Sequence, residues 1–142
     1  MDLSIKLRHL PGRIATGVFI LNSGLDKRHP DEGTVAWLHG AASGVYPFLG
    51  KIPAPLFVKL LSTAEITLGA ALLLPIVPTA PAAAGLAAFS AGLVGLYLRT
   101  PGMRQDGSLS PTPQGLALAK DVWMLGIALG LLTDVLTRDG RR

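Results

Sequence analysis

The residues of this chain that could do chemistry are ionisable side chains placed inside long apolar stretches. Glu65 lies near the centre of the stretch 54–74, and Lys120 and Asp121 stand side by side in the stretch 115–136. Such groups are costly in an apolar segment and are usually turned toward protein partners or water. A carboxyl group in that setting can exchange a proton, and a nearby lysine can change its pKa or hold an anionic group.

Two interpretations of Glu65 follow from the sequence. In one, Glu65 pairs with Arg13, Lys59 or Lys120 and holds helices together. In the other, Glu65 handles a proton or binds a ligand. For Lys59, a long stem that reaches the membrane interface explains the residue at least as well as a functional role does. The sequence identifies no catalytic residue and leaves open whether the protein is an enzyme. The candidate members of an internal polar cluster or ligand site are Arg13, Asn22, Lys27, Glu65, Lys120 and Asp121.

Composition excludes several classes of function. The chain has no cysteine, so disulfides, thiolate nucleophiles and cysteine-ligated metals are ruled out. His9, His29 and His39 do not have metal-ligand spacing on one helix, and we predict no metal site. The net charge of +4 suits anionic lipid headgroups, and the chain has no dense basic cluster interleaved with aromatic residues that would indicate nucleic acid binding.

The elements that must position these residues are predicted to be membrane helices. Hydrophobic residues make up 49% of the chain and charged residues 15%, below the usual charge of soluble domains. Four apolar stretches approach the roughly 20 residues that a spanning helix needs, and they cover about 7–25, 54–74, 81–98 and 115–136. We therefore predict one all-α domain over residues 1–142, a polytopic membrane four-helix bundle. The alternative, a soluble helical bundle, is disfavoured because the last three stretches are too long and too apolar.

The connections add detail to this prediction. Asp31 and Glu32 are typical of the start of a short helix, and Trp37, Tyr46 and Phe48 favour a segment that lies in the membrane interface. Short links predict antiparallel hairpins between consecutive helices after the first loop. Small residues predict close helix packing. On the first helix Gly17 and Gly24 share a face with Arg13 and Ile20, and on the second Gly69 shares one with Ser62 and Glu65. The third and fourth helices carry small residues at Gly85, Ala88, Gly92 and Gly95, and at Gly126 and Gly130.

The first stretch and the orientation depend on charge. Arg13 interrupts the first apolar run, so we interpret it as a retained helix rather than a cleaved signal peptide. Lysine and arginine are slightly more numerous on the side that both termini share, which favours a cell-membrane protein with both termini in the cytoplasm.

Several of these residues resemble the DoxX family of small bacterial four-helix membrane proteins. Arg13, then 17–20, Gly24 and Lys27 are similar to the start of that family's first helix, and Glu65 followed by Gly69 is similar to its acidic second helix. The run 120–123 looks like an actinobacterial variant. The long connection 26–53 departs from the shortest members, which puts a shared substrate in doubt.

The resemblance implies a role near redox chemistry. Some DoxX relatives are linked to thiosulfate oxidation with a quinone as electron acceptor, and others to membrane complexes that gather soluble redox enzymes. The leading hypothesis is an accessory subunit of a membrane-associated redox or stress-response complex, with the lipid bilayer and soluble redox enzymes or other membrane subunits as partners. The alternatives are a membrane oxidoreductase subunit that binds a quinone or another lipid, and a small transporter.

Overall fold

The protein is described by a computed structural model that covers residues 6–100, 102–113, 115–119 and 121–139. Over these residues the chain is helical, with no β-strand. Six α-helices follow one another, with single 3-10 turns at Leu7–His9 and Pro47–Lys51: α1 Leu10–Asp26, α2 Glu32–Val45, α3 Ala54–Leu73, α4 Thr79–Arg99, α5 Leu116–Ala119 and α6 Asp121–Asp139. The all-helical prediction is confirmed for this part of the chain.

The ends of the helices follow from local sequence. Asp31 precedes α2, and its carboxylate accepts a hydrogen bond from the backbone N–H of Thr34 at 2.7 Å, so it caps the helix as the acidic start predicted. Pro55 lies in the first turn of α3, where its missing N–H costs nothing. Pro75 follows α3 and disfavours helical backbone at Leu74, where the helix has ended.

The long helices pack in two pairs. Helix α1 packs mainly against α3, and α4 packs mainly against α6, while the contact between α3 and α4 is smaller. Consecutive hairpins therefore describe only part of the packing, because the principal partner of α3 is α1, across the long first connection. The core receives side chains from both pairs: Ile20, Leu72, Ala82, Leu86, Met124 and Ala128.

Glycines explain why α1 and α3 approach so closely. A Cβ atom added at Gly69 would lie 2.7 Å from the backbone nitrogen of Leu21, and one at Gly24 would lie 2.9 Å from that of Ile66. The backbones touch where the side chains are missing, as the small residues of the first two stretches predict. The same expectation is wrong for Gly126 and Gly130, which are exposed and have no atom of the described chain within 4 Å of such a Cβ.

Some ionisable side chains are buried and some large apolar side chains are exposed. The buried side chains include Arg13, Glu65 and Asp121, whereas Phe19, Trp123 and other large apolar side chains are more than half exposed. Helices α3 and α4 are long and apolar enough to cross a membrane, and only 28% of the most apolar window of each is buried inside the protein.

Candidate functional site

Two groups of polar side chains lie at opposite ends of the α1–α3 pair. Arg13 lies in the first turn of α1 and Lys27 directly follows its last residue. These two residues are separated by about 20 Å along the helix axis, at about 1.5 Å per residue. We call the two groups of polar side chains the Arg13 cluster (His9, Arg13, Thr79 and Asp134) and the Lys27–Glu65 cluster (Ser23, Lys27, Ser62, Glu65 and Asp121).

Arg13 caps the C-terminal end of α3. Its side chain is 1% exposed. Its Nε donates to the carbonyl oxygen of Leu72 at 2.8 Å, and its Nη2 donates to those of Ala71 at 2.8 Å and Leu74 at 3.2 Å. The last carbonyls of a helix lack partners within the helix and carry partial negative charge, so a guanidinium placed there satisfies both deficits.

Hydrogen bonds continue from Arg13 to two further helices. Its Nη1 donates to the hydroxyl of Thr79 at 3.0 Å, and that hydroxyl lies 3.1 Å from Nδ1 of His9. The Nε2 of His9 is 2.6 Å from a carboxylate oxygen of Asp134, on α6. Since that carboxylate also accepts from Nε of Arg8 at 3.0 Å, the cluster joins the starts of α1 and α4 to the ends of α3 and α6.

A hydroxyl, an imidazole and a carboxylate in a row resemble a nucleophilic triad, but this arrangement does not have a triad's properties. The hydroxyl of Thr79 accepts a hydrogen bond from the guanidinium of Arg13, which withdraws electron density from the oxygen. Thr79 and His9 are 7% and 4% exposed, so a substrate cannot reach them in this conformation. A nucleophile needs an open face and an adjacent base that is free to accept its proton. We therefore assign the Arg13 cluster a structural role.

The Lys27–Glu65 cluster lies where α1 ends beside the middle of α3. The Nζ of Lys27 is 3.2 Å from Oε2 of Glu65 and donates to the hydroxyl of Ser23 at 2.6 Å. The hydroxyl of Ser62 donates to the carbonyl of Gly24 at 2.7 Å. The side chain of Glu65 is 4% exposed and that of Lys27 is 21% exposed, so the ion pair is buried at its acidic side and opens at its basic side.

The predicted site residues divide between these regions. Lys27 and Glu65 come together, and Asp121 is buried close enough for their charges to act on it. Arg13 lies in the other cluster, so among the three cations considered as partners of Glu65, Arg13 is not its partner. Asn22 is exposed and its amide donates to Asp26 at 3.4 Å. Lys120 lies outside the described residues.

Lys59 is another of the cations considered as partners of Glu65. It is exposed on α3, and within the described part of the chain it forms no ion pair with Glu65. The partner of Glu65 is Lys27, which comes from a different helix and follows that helix's last residue. The sequence predicts that Lys27 lies just after the first helix, but helical spacing alone does not indicate which cation reaches the carboxylate.

A groove opens beside the Lys27–Glu65 cluster. Its volume is about 660 Å³, within the range of small-molecule sites. We call it the α1–α3 groove. Its walls are the segment Lys27–Pro30 at the end of α1, Val35 of α2, and one face of α3 between Pro55 and Thr67. Val58 and Ser62 are buried in its floor, and Lys59 and Thr63 are exposed along its edge.

The groove offers cations and apolar surface, but no metal ligands in sufficient number. Lys27, Arg28, His29 and Lys59 line it together with Val35, Val58 and Ile66. Among the residues that the structure describes, no three His, Asp or Glu side chains are grouped as metal ligands. Arg28 was not among the predicted site residues, and the signal that could have indicated it is its place in the run Lys27–Arg28–His29 directly after a predicted span.

Comparison of the chain with models of protein families, with curated proteins and with solved structures found no match.

Proposed function

We propose that this protein is a multi-pass integral membrane protein that binds a lipid-like molecule in the α1–α3 groove. One observation carries the proposal: a groove of about 660 Å³ lies directly beside a buried ion pair, Lys27 with Glu65. A cavity that combines apolar walls with a few polar groups is the usual form of a small-molecule site.

The membrane part of the proposal is supported by the outward faces of the helices. Ile14, Val18 and Phe19 of α1 are at least half exposed, whereas Arg13, Thr16 and Gly17 of the same helix face inward. Helix α6 repeats this arrangement with Val122 and Trp123 outside and Asp121 and Met124 inside. A helix with its polar side buried and its apolar side exposed is stable in lipid. We therefore propose that α1 and α6 span the membrane together with α3 and α4, with both termini in the cytoplasm.

The resemblance to the DoxX family supplies the wider setting of the proposal. In that setting the protein serves as an accessory subunit of a membrane-associated redox or stress-response complex. The groove then holds a lipid-soluble molecule that this complex uses, and a quinone is one candidate. No observation on the described residues favours a transport path, so the transporter alternative is not developed.

Two matched substitutions test the binding proposal. Thr63 lines the groove, and Thr133 lies on the exposed face of α6. Both hydroxyls donate to the carbonyl four residues earlier, at 2.9 Å for Thr63 and 2.7 Å for Thr133. Thr63→Trp would fill the groove, whereas Thr133→Trp would add the same ring elsewhere.

The protein would be recovered from membranes washed with alkaline carbonate, purified in mild detergent and analysed by native mass spectrometry with solvent extraction. We expect the wild type and Thr133→Trp to retain a stoichiometric lipid-soluble ligand, and Thr63→Trp to lose it. Release of the protein by carbonate would refute membrane integration. Retention of the ligand by Thr63→Trp would refute the groove as its site.

A further inference from the structure

The groove has an uncompensated positive charge. Arg28 and Lys59 line it, and within the described part of the chain neither has a carboxylate partner. No Asp or Glu is among the described residues that line the groove, and Glu65, which lies beside it, is already paired with Lys27. A cavity lined by one sign of charge and low-dielectric walls attracts ligands of the opposite sign.

The charge is concentrated at one end of the groove. The bond between Ser62 and the carbonyl of Gly24 fixes the register of α3 against α1. The two helices are antiparallel, so the chain after Gly24 continues toward the start of α3. Arg28 and His29 therefore lie nearer to Pro55 and Lys59 than to the middle of α3. Ile66 and Thr67 lie at the other end, near the middle of α3. Lys59 and Thr67 are separated by about 12 Å along the helix, at about 1.5 Å per residue.

This gradient matches the depth profile of a membrane lipid. If α3 spans the membrane, its start lies at the interface, where headgroups lie, and its middle lies among acyl chains. The cationic end of the groove is then at headgroup depth and its apolar end at chain depth. Arginine and lysine together bind phosphate oxygens through charge-assisted hydrogen bonds.

We infer that the α1–α3 groove is a binding site for an anionic lipid, with a phosphate headgroup held by Arg28 and Lys59 and the upper part of an acyl chain lying against Val58 and Ile66. The inference rests on the proposed function, because it requires that α3 lies in a membrane. It adds the chemical class of the ligand and disfavours a neutral quinone as the preferred occupant, since a quinone leaves these cations unmatched.

Charge variants with a matched control test the headgroup. Arg28→Gln/Lys59→Gln removes two positive charges from the groove. Lys51→Gln/Arg99→Gln removes two from exposed positions outside it, on the same predicted side of the membrane. Delipidated protein in detergent would be titrated with phosphatidylglycerol, phosphatidylcholine, a short-chain benzoquinone and glycerol 3-phosphate, and bound ligand would be counted by native mass spectrometry.

We expect wild-type protein to prefer phosphatidylglycerol to phosphatidylcholine and to the quinone. The groove variant should bind phosphatidylglycerol about 30-fold more weakly, a change that corresponds to about 1 kcal/mol for each cation near a headgroup. The control variant should change by about threefold or less, because its charges act only through the general surface potential.

Other outcomes would overturn the inference in distinguishable ways. Equal affinity for the two phospholipids, or an equal loss in both variants, would refute recognition of the headgroup. Stronger binding of the quinone would refute the anionic class while leaving the proposed function intact. Tight binding of glycerol 3-phosphate would show a site for a soluble anion and would refute the lipid. Failure of every ligand to bind a carbonate-resistant protein would refute the proposed function as well.

Discussion

The two polar regions of this molecule use similar residues for different purposes. The guanidinium of Arg13 makes four hydrogen bonds to partners in α3 and α4 and is almost completely buried. Lys27 also reaches across to α3, but its side chain is 21% exposed and lines the groove. A buried cation whose donors are occupied by protein groups stabilises a structure. Beside Lys27, by contrast, Arg28 and Lys59 line the groove without a carboxylate partner in the described part of the chain and are available to a ligand. Charge inside an apolar helix bundle is therefore not by itself a sign of function.

The largest expected effect is a loss of stability when Arg13 is replaced, and it distinguishes the Arg13 cluster from the Lys27–Glu65 cluster. Arg13→Met should lower the free energy of unfolding by about 4 kcal/mol, because it leaves three carbonyls and the Thr79 hydroxyl without their donor. Arg13→Lys should recover only part of the loss, because an ammonium group cannot match the fork of a guanidinium. Equilibrium unfolding in mixed micelles gives the values. A loss below about 1 kcal/mol in Arg13→Met would contradict the structural role of this cluster.

The second-largest expected effect on stability is at the close contact between α1 and α3, which lies between the two clusters. Gly69→Ala should destabilise the protein by about 2 kcal/mol, because the added methyl group meets the backbone of Leu21 and forces α1 away from α3. Gly130→Ala is the matched control, since nothing lies within 4 Å of its added Cβ. It should be neutral or slightly stabilising through helix propensity. Thermal unfolding of both variants in the same detergent checks this, and equal midpoints would argue against the close approach.

The smallest effect concerns the ion pair. Glu65→Gln keeps an oxygen that can accept from Lys27 while removing the charge, so we expect it to lower stability by about 1 kcal/mol. In a double-mutant cycle with Lys27→Met, the coupling energy should be about 1–2 kcal/mol. The groove should still bind its ligand in Glu65→Gln. If stability is unchanged and ligand binding is abolished, Glu65 itself contacts the ligand, and the ion pair belongs to the binding site rather than to the structural contacts.

Much of the local structure could be predicted because it depends on neighbouring residues. The predicted stretch 54–74 and the observed α3, Ala54–Leu73, agree closely because prolines border it on both sides. Ser62, Glu65 and Gly69 recur at helical spacing, as do Arg13, Gly17, Ile20 and Gly24. Each set was expected on one helix face, and in the structure these two faces pack against each other.

Other features could not be predicted because they depend on the register between distant helices. Spacing placed Arg13 and Glu65 each on a helix face with small residues but gave no information on their relative depth, so it could not choose among Arg13, Lys59 and Lys120 as the partner of Glu65. His9 had no expected role, and it bridges Thr79 and Asp134 only because the start of α4 and the C-terminal part of α6 meet beside it. The exposure of Gly126 and Gly130 likewise depends on which side of α6 faces α4.

Propensity, capping and apolar length act over short distances, and they account for the helical class, the limits of α3 and the presence of charge within apolar helices. The packing of distant helices is what makes Arg13 close the end of α3, makes Lys27 the partner of Glu65, and forms a cationic groove between α3, α2 and the segment after α1. These contacts join residues 38 to 66 positions apart, and their geometry is set by backbone approach at Gly24 and Gly69 rather than by any local pattern.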